Sequence, residues 1–320
     1  VRVMHPGGLG TMKMNGKTFF AKAVVTVGLT LSSLVAPALA DNLTIKHAQG
    51  ETSVPSNPAK VLSFDLASLD TLTALGVDVA GVPSGPKPDY LSKYADKSFP
   101  TIGSLFEPDF EAVNAAEPDL IIVAGRSRAK YAELAKIAPT IDLTVTSDAH
   151  LAGAEENVRT LGKTFGKEAE ANALIAKLQS SAAAVKEKAS KAGTGLLVLT
   201  TGGKMSTFGP GSRFGVLFAD YGIKPADETI KVGMHGQPAS FEYILEKDPD
   251  WLFVIDRDAA IGRGGVAAAK LLDNEIVRRT KAWKKGHVVY LDPVSWYIVG
   301  DGITSLQKTV DELSAALDKP

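Results

Sequence analysis

The sequence predicts an α/β protein of two lobes, each with a mainly parallel, helix-flanked sheet, joined by a single long helix. Three observations carry this. Residues 110–126 (FEAVNAAEPDLIIVAGR) and 241–257 (FEYILEKDPDWLFVIDR) superpose without a gap at a constant offset of about 131 residues, with Phe110/Phe241, Glu111/Glu242, Pro118/Pro249, Asp119/Asp250, Val123/Val254 and Arg126/Arg257 identical. Short apolar runs bounded by turn residues alternate with helical stretches in both halves, the pattern of buried parallel strands in an α/β fold. Between the halves, residues 167–191 hold almost no helix breaker, and Ala171, Leu174, Ile175, Leu178, Ala182 and Val185 mark one apolar face. About 24 helical residues span about 36 Å, enough for a stiff strut.

The elements follow in order. Residues 42–50 read as an opening strand, 61–64 as a short buried strand, and 66–75 as a helix stopped by Gly76, which tolerates the left-handed conformation. Residues 77–82 read as another strand, and 83–88 as a turn-rich loop. The first repeat copy then supplies a helix start, a Pro-Asp break, the strand 120–124 and Arg126. A helix over 131–137 ends before Pro139, and 141–144 is a strand; helices at 154–165 and 167–191 follow. The α/β rhythm restarts at 196–200, passes the Gly202-Gly203 loop, a helix at 214–221 and a polar loop over 229–238, and enters the second copy. Helices at 267–274 and 275–283, a strand at 288–291, an aromatic loop over 292–302 (DPVSWYIVGDG) and a closing helix at 303–317 complete the chain.

Both repeat copies place an Arg directly after a buried strand, and ligands of open α/β sheets bind outside the carboxyl ends of strands. Arg126 and Arg257 are therefore candidates to face one site from two sides, against the ordinary role of an Arg as a surface ion-pair partner. Residues 208–215 (FGPGSRFG) do not fit a dinucleotide fingerprint, because the third glycine falls one position late; the loop instead places Arg213 near the strand ends. His235 sits in a glycine-flanked polar loop that can present its imidazole to a cleft, although a lone His is more often structural or simply exposed. Tyr297, in Ser295-Trp296-Tyr297, is ordinarily a packing residue with a hydrogen-bonded hydroxyl. Beside an imidazole it can act as an oxygen ligand, and a phenolate suits Fe(III) better than Zn(II). Glu111 and Glu242 read either as solvated helix-start acids or as a symmetric pair of contact residues, one per lobe.

The 320 residues are 45% hydrophobic and 22% charged, ordinary globular composition for about two domains. With no cysteine, disulfides, thiolate metal sites and Cys nucleophiles are excluded. Lys13, Lys17 and Lys22, an apolar stretch over 23–34 and the small-residue pattern Ala38-Leu39-Ala40 mark a signal peptide with its start at Met14 and cleavage after Ala40, hence export to the periplasm. The expected organisation is a leader at 1–40, an N-terminal lobe at 41–165, a linking helix at 166–191 and a C-terminal lobe at 192–320. Removing the leader takes away four cations (Arg2, Lys13, Lys17, Lys22) and no acid, so the formal net charge falls from −1 to about −5. An acidic chain with no basic cluster is a poor nucleic-acid binder.

Specific motifs then carry a family resemblance: SRFG at 212–215, KVGMHG at 231–236, ILEKDPDWLFVIDR at 244–257 and YLDPVSWY at 290–297, with GRSRAKY at 125–131 and IAPT at 137–140 in the first half. Over nearly all of the chain after the leader, the sequence resembles the periplasmic substrate-binding proteins of ABC importers for ferric catecholate siderophores. It is most similar to the enterobactin-uptake group whose members complete an iron shell with one His and one Tyr. The resemblance implies the class III periplasmic-binding-protein fold with a shallow inter-lobe cleft. It implies no intrinsic cofactor and no catalysis, with ferric iron arriving as a catecholate siderophore complex. His235 and Tyr297 fall on the iron-ligand positions, and Arg126, Arg213 and Arg257 on the three arginines around the anionic complex. Glu111 and Glu242 match the acids that dock on an ABC-type inner-membrane permease, and the protein is expected to act as a monomer. Arg128 is an extra basic residue without an assigned role.

The chemistry fits. Three bidentate catecholates fill an octahedral Fe(III) and leave a trianion that three Arg offset; two fill only four positions, and His235 and Tyr297 can take the rest. The pair therefore predicts a preference for tetradentate bis-catecholates. Two alternatives stand beside this: the same fold binding haem, a corrinoid or a hydroxamate complex, and an exported α/β enzyme such as a hydrolase or reductase, for which Asp65, Asp256 and Asp292 lie near strand ends but have no evident His or Ser partner in sequence. Against the enzyme, the chain has no G-x-S-x-G elbow and no cofactor fingerprint.

Overall fold

The computed structural model describes Gly10 and residues 42–319, except Val232 and Met234. The expected leader at 1–40 otherwise lies outside the described residues. None of the described helices is long and apolar enough to cross a membrane.

In the first half, Val61–Ser63, Leu120–Val123 and Thr140–Asp142 form a parallel sheet in that order, with every strand residue buried. Alternation sorts their side chains. Val61, Leu120, Ile122 and Ile141 face one apolar cluster, while Leu62, Ile121 and Val123 face another. Both faces are covered, which is why these runs are continuously apolar. The expected strand at 77–82 is reduced to isolated parallel bridges, Leu62 with Gly81 and Val82 with Thr101. The expected opening strand is instead a hairpin, Asn42–His47 against Gly50–Pro55, turning at Ala48-Gln49.

The second half is a six-stranded mixed sheet in the order Val288–Tyr290, Trp251–Asp256, Thr194–Thr201, Lys204–Phe208, Gln237–Ala239, with Lys224–Pro225 also on Thr194–Thr201. Thr194–Thr201 is parallel to Trp251–Asp256 and Lys224–Pro225, as Val288–Tyr290 is to Trp251–Asp256; the two remaining pairings are antiparallel. Lys204–Phe208, to which the sequence reading gave no element, is a strand because Gly202 (φ 54°) and Gly203 (φ 76°) make a two-residue turn that folds the chain straight back; Gln237–Ala239, at the end of the expected polar loop 229–238, pairs antiparallel with it.

The repeat is real in three dimensions. Helices Phe110–Ala116 and Phe241–Lys247 start on side-chain caps, Asp109 to Ala112 N (3.0 Å) and Ser240 to Tyr243 N (3.1 Å). Each ends on a left-handed non-glycine residue, Glu117 (φ 47°) and Asp248 (φ 39°). The repeated Asp then staples the strand to its neighbour: Asp119 accepts from Lys60 N (2.8 Å) and Asp250 from Thr194 N (3.0 Å).

Helix Glu168–Ala189, about 33 Å long, joins the halves and buries Ala171, Ile175, Leu178, Ala182, Val185 and Ala189. It packs on His150–Thr164 and on the closing helix Ile303–Leu317, which returns to Leu66–Ala74 of the first half. There the fully buried Asp70 accepts from Thr304 N (2.8 Å), Ser305 N (2.9 Å) and the Tyr90 hydroxyl (2.7 Å). One apolar cluster runs through both sheets and both long helices, including Ile122, Leu178, Phe253 and Leu313.

Candidate functional site

The carboxyl ends of two parallel strands carry Arg126 and Arg257. Arg126 follows Leu120–Val123 in a tight turn. Ser127, fully buried, fixes it by donating to Ala124 O (3.1 Å) and accepting from Ala124 N (3.1 Å), while Gly125 N bonds Thr144 Oγ1 (2.9 Å). Arg257 follows Trp251–Asp256 and opens a one-turn helix capped by Asp256, whose Oδ1 accepts from Ala259 N (3.0 Å). Arg213 lies in the glycine turn after Lys204–Phe208. Gly215 is required there: a Cβ would stand 2.9 Å from Ser212 O and 3.1 Å from Gly211 N. Tyr297 lies in a wide π-helical turn, Val294–Val299, closed by Gly300 N to Ser295 O (2.9 Å). Such wide turns recur at functional sites. Neighbouring Trp296 is buried, its Nε1 donating to Glu312 Oε2 (2.9 Å).

All three arginines converge on Tyr297. Arg126 donates from Nη2 to Tyr297 O (2.6 Å) and from Nη1 to Ile298 O (3.1 Å). Arg213 donates to Tyr297 O (3.0 Å) and lies 4.5 Å from the Tyr297 ring centre. Arg257 donates from Nε to the Tyr297 hydroxyl (2.8 Å) and from Nη1 to Thr201 Oγ1 (3.3 Å). Among the described residues none of the three forms an ion pair with a carboxylate. Burial works against ionising the half-buried Tyr297 phenol. The Arg257 hydrogen bond and the charges of Arg213, Arg257 and Arg126 win, and its pKa lies below the ordinary value. Burial likewise lowers the Arg126 pKa, opposed by the Tyr297 phenol and Asp65. The result is a cationic cluster with no carboxylate at ion-pair distance among the described residues, around a phenol whose pKa is lowered, with planar donors left to meet an anion.

The other predicted residues stand apart from the cluster. His235 is exposed, and among the described residues no hydrogen bond, ion pair or ring contact joins it to Tyr297 or the arginines. The stem of its loop is anchored by the buried Asp227, which accepts from Thr229 N (2.8 Å) and the Tyr243 hydroxyl (2.8 Å) and pairs with Lys247 (3.2 Å). Glu111 and Glu242 are exposed in the first turns of the two repeat helices. Arg128 faces the buried carboxylate of Asp142 at 3.8 Å. The acids near strand ends are local caps: Asp65 accepts from Ser68 N (2.7 Å), Asp256 also from Ala268 N (2.9 Å), and Asp292 from Val294 N (3.1 Å). Among the described residues no group of three or more His, Cys, Asp or Glu side chains could hold a metal ion. Thr201 was missed in the sequence; its position at the end of Thr194–Thr201, the strand paired with the one leading to Arg257, is the signal that could have found it.

Comparison with known proteins agrees with this architecture. A family model described as periplasmic binding protein matches residues 61–294. The chain is 42% identical to the petrobactin-binding protein YclQ of Bacillus subtilis over 87% of this chain and 89% of that one. The YclQ crystal structure superposes with a TM-score of 0.84 over 88% of this chain and 100% of that one. The ferric-anguibactin-binding protein FatB of Vibrio anguillarum is 35% identical over 88% and 89% of the two chains. The periplasmic catecholate-siderophore binding protein VctP of Vibrio cholerae is 34% identical, with a TM-score of 0.83 over 86% and 100%. The chain belongs to the periplasmic binding protein family and has its α/β binding-protein fold, and it is a binding protein rather than an enzyme.

Proposed function

We propose that this member of the periplasmic binding protein family is the siderophore-binding component of an ABC importer for iron, capturing ferric catecholates and delivering them to a permease. The observation that carries the reading is the convergence of Arg126, Arg213 and Arg257 on Tyr297, none of them ion-paired with a carboxylate among the described residues. A ferric catecholate is anionic and flat-edged, and guanidinium groups both pair with its oxygens and stack on its rings. The names of YclQ and VctP, a petrobactin-binding and a catecholate-siderophore-binding protein, support the ligand class.

The finer reading is a preference for tetradentate bis-catecholates in the periplasm. Two catecholates leave two iron positions, which the Tyr297 phenolate and the imidazole of exposed His235 fill, the loop that carries His235 folding over the complex. Glu111 and Glu242, exposed at equivalent helix starts, dock the loaded monomer on the permease. The test compares a linear ferric bis-catecholate with a ferric tris-catecholate on the protein and on the His235→Ala/Tyr297→Phe double variant. The reading expects the bis-catecholate to lose at least tenfold and the tris-catecholate little. Equal losses, or tris-catecholate binding as tight as bis-catecholate binding and unchanged in the double variant, would refute it.

A further inference from the structure

Beside the arginine cluster, and outside every role given so far, lies a buried histidine that touches both loops of the site. His150 opens the helix His150–Thr164 and is 5% exposed. Its Nε2 lies 3.1 Å from the backbone oxygen of Ser212, the residue before Arg213. Its Nδ1 lies 3.0 Å from Asp301 Oδ1, just beyond the turn that carries Tyr297. A carbonyl and an ionised carboxylate can only accept, so both contacts are hydrogen bonds only when both ring nitrogens carry hydrogen, as in the imidazolium.

We infer that His150 is a positioning residue: it locks the Arg213 turn and the Tyr297 loop into one register, and the lock needs its proton. The geometry leaves few alternatives for either loop. Ser212 is itself buried, and its carbonyl already receives Gly215 N (2.8 Å), so it cannot turn to solvent. Asp301 sits between Gly300 (φ 69°) and Gly302, where a Cβ would stand 2.7 Å from Asp70 Cγ. Neutral imidazole has one N–H, so deprotonation leaves either Ser212 O or Asp301 facing a lone pair. One of the two loops is then released.

The surrounding charges define the pH sense. Burial opposes the imidazolium, but the Asp301 hydrogen bond and charge, the Ser212 carbonyl and the Asp220 carboxylate outweigh it and raise the pKa above the ordinary value of 6.5. Asp148 in the preceding turn adds a further anion. Lys186 of the linking helix acts on Asp220, and Arg213 and Asp65 act on Asp301. Because the folded pKa is raised, the lock is fully present below the unfolded value and is lost as pH rises through the folded one.

The inference rests on the arginine cluster being the ligand site, and the test separates the two. Affinity for a ferric bis-catecholate is measured from pH 5.5 to 9 for the protein, His150→Gln and Asp301→Asn, with thermal melts at pH 6 confirming folding. Tryptophan emission without ligand is followed over the same range. Subtracting the His150→Gln curve cancels the response of Trp251, which stacks on His287 at 3.9 Å.

The expected result is a fall of about tenfold in affinity on the alkaline side, the scale of one charge-assisted hydrogen bond. The step is absent in His150→Gln, which is already about tenfold weaker at pH 6, and moves to lower pH in Asp301→Asn. Should His150→Gln not fold, the displaced step in Asp301→Asn decides. Parallel affinity profiles in all three proteins overturn the inference while leaving the catecholate reading intact. A His150-dependent emission step in a protein that binds no catecholate keeps the inference and overturns the ligand class.

Discussion

Arg126 is the cluster member contributed by the first half of the chain, and its replacement separates fork geometry from charge. It holds two carbonyls at once, Tyr297 O at 2.6 Å and Ile298 O at 3.1 Å. Arg126→Lys keeps the charge but offers one compact ammonium, so one charge-assisted hydrogen bond is lost. That costs about 1.5–3 kcal/mol, or roughly a tenfold to hundredfold loss of affinity. Arg126→Gln also removes the charge. A unit charge about 5 Å from an anion, in an effective dielectric between about 20 and 80, contributes about 1–3 kcal/mol more. Titration with a ferric bis-catecholate at low and high salt reads both effects. Arg126→Lys should weaken binding with the salt dependence of the unaltered protein, whereas Arg126→Gln should weaken it further and flatten that dependence. Arg126→Lys within twofold of the unaltered protein would refute the fork argument. Equal weakening in both variants with identical salt slopes would refute the charge argument.

Other outcomes follow from the same structure. Asp70→Ala leaves two helix-start N–H groups and the Tyr90 hydroxyl without their acceptor, and denaturant unfolding should register a loss of about 2–5 kcal/mol; under 1 kcal/mol would show that the closing helix does not depend on this cap. Glu111→Ala and Glu242→Ala, both on exposed helix starts, should leave ligand affinity within twofold and cut iron uptake in cells more than tenfold; normal uptake in the double variant would remove the docking role. Solution scattering should show little compaction on ligand addition, because one apolar cluster spans both sheets and the linking helix; a large decrease in radius of gyration would contradict that.

What could be read in the chain was what neighbouring residues encode. The repeat survived folding because each part is local: a cap, a left-handed helix end, an Asp that staples one strand to the next. The linking helix was visible because nothing in it breaks a helix. Arg126 and Arg257 stood out because strand ends are readable, but their meeting with Arg213 on one tyrosine is a tertiary event. Hairpins were the weak point. Gly202-Gly203 between two extended runs is a hairpin signal, but the strand after it is partly polar and carries no continuous apolar run to mark it. His150 and Asp301 lie far apart in the chain, and nothing near either residue points to the other. The closing helix shows the same limit: its apolar face is legible, but not that it returns to Leu66–Ala74.

The central claim is that a ferric catecholate sits on the arginine–Tyr297 cluster, and tryptophan fluorescence tests it most directly because buried Trp296 adjoins Tyr297. The protein, Arg257→Gln and Tyr297→Phe would each be titrated with a ferric bis-catecholate, haem and a ferric hydroxamate. The account predicts saturable quenching by the bis-catecholate alone, weakened in both variants. Quenching by haem or the hydroxamate instead, or catecholate quenching that both variants leave unchanged, would contradict it.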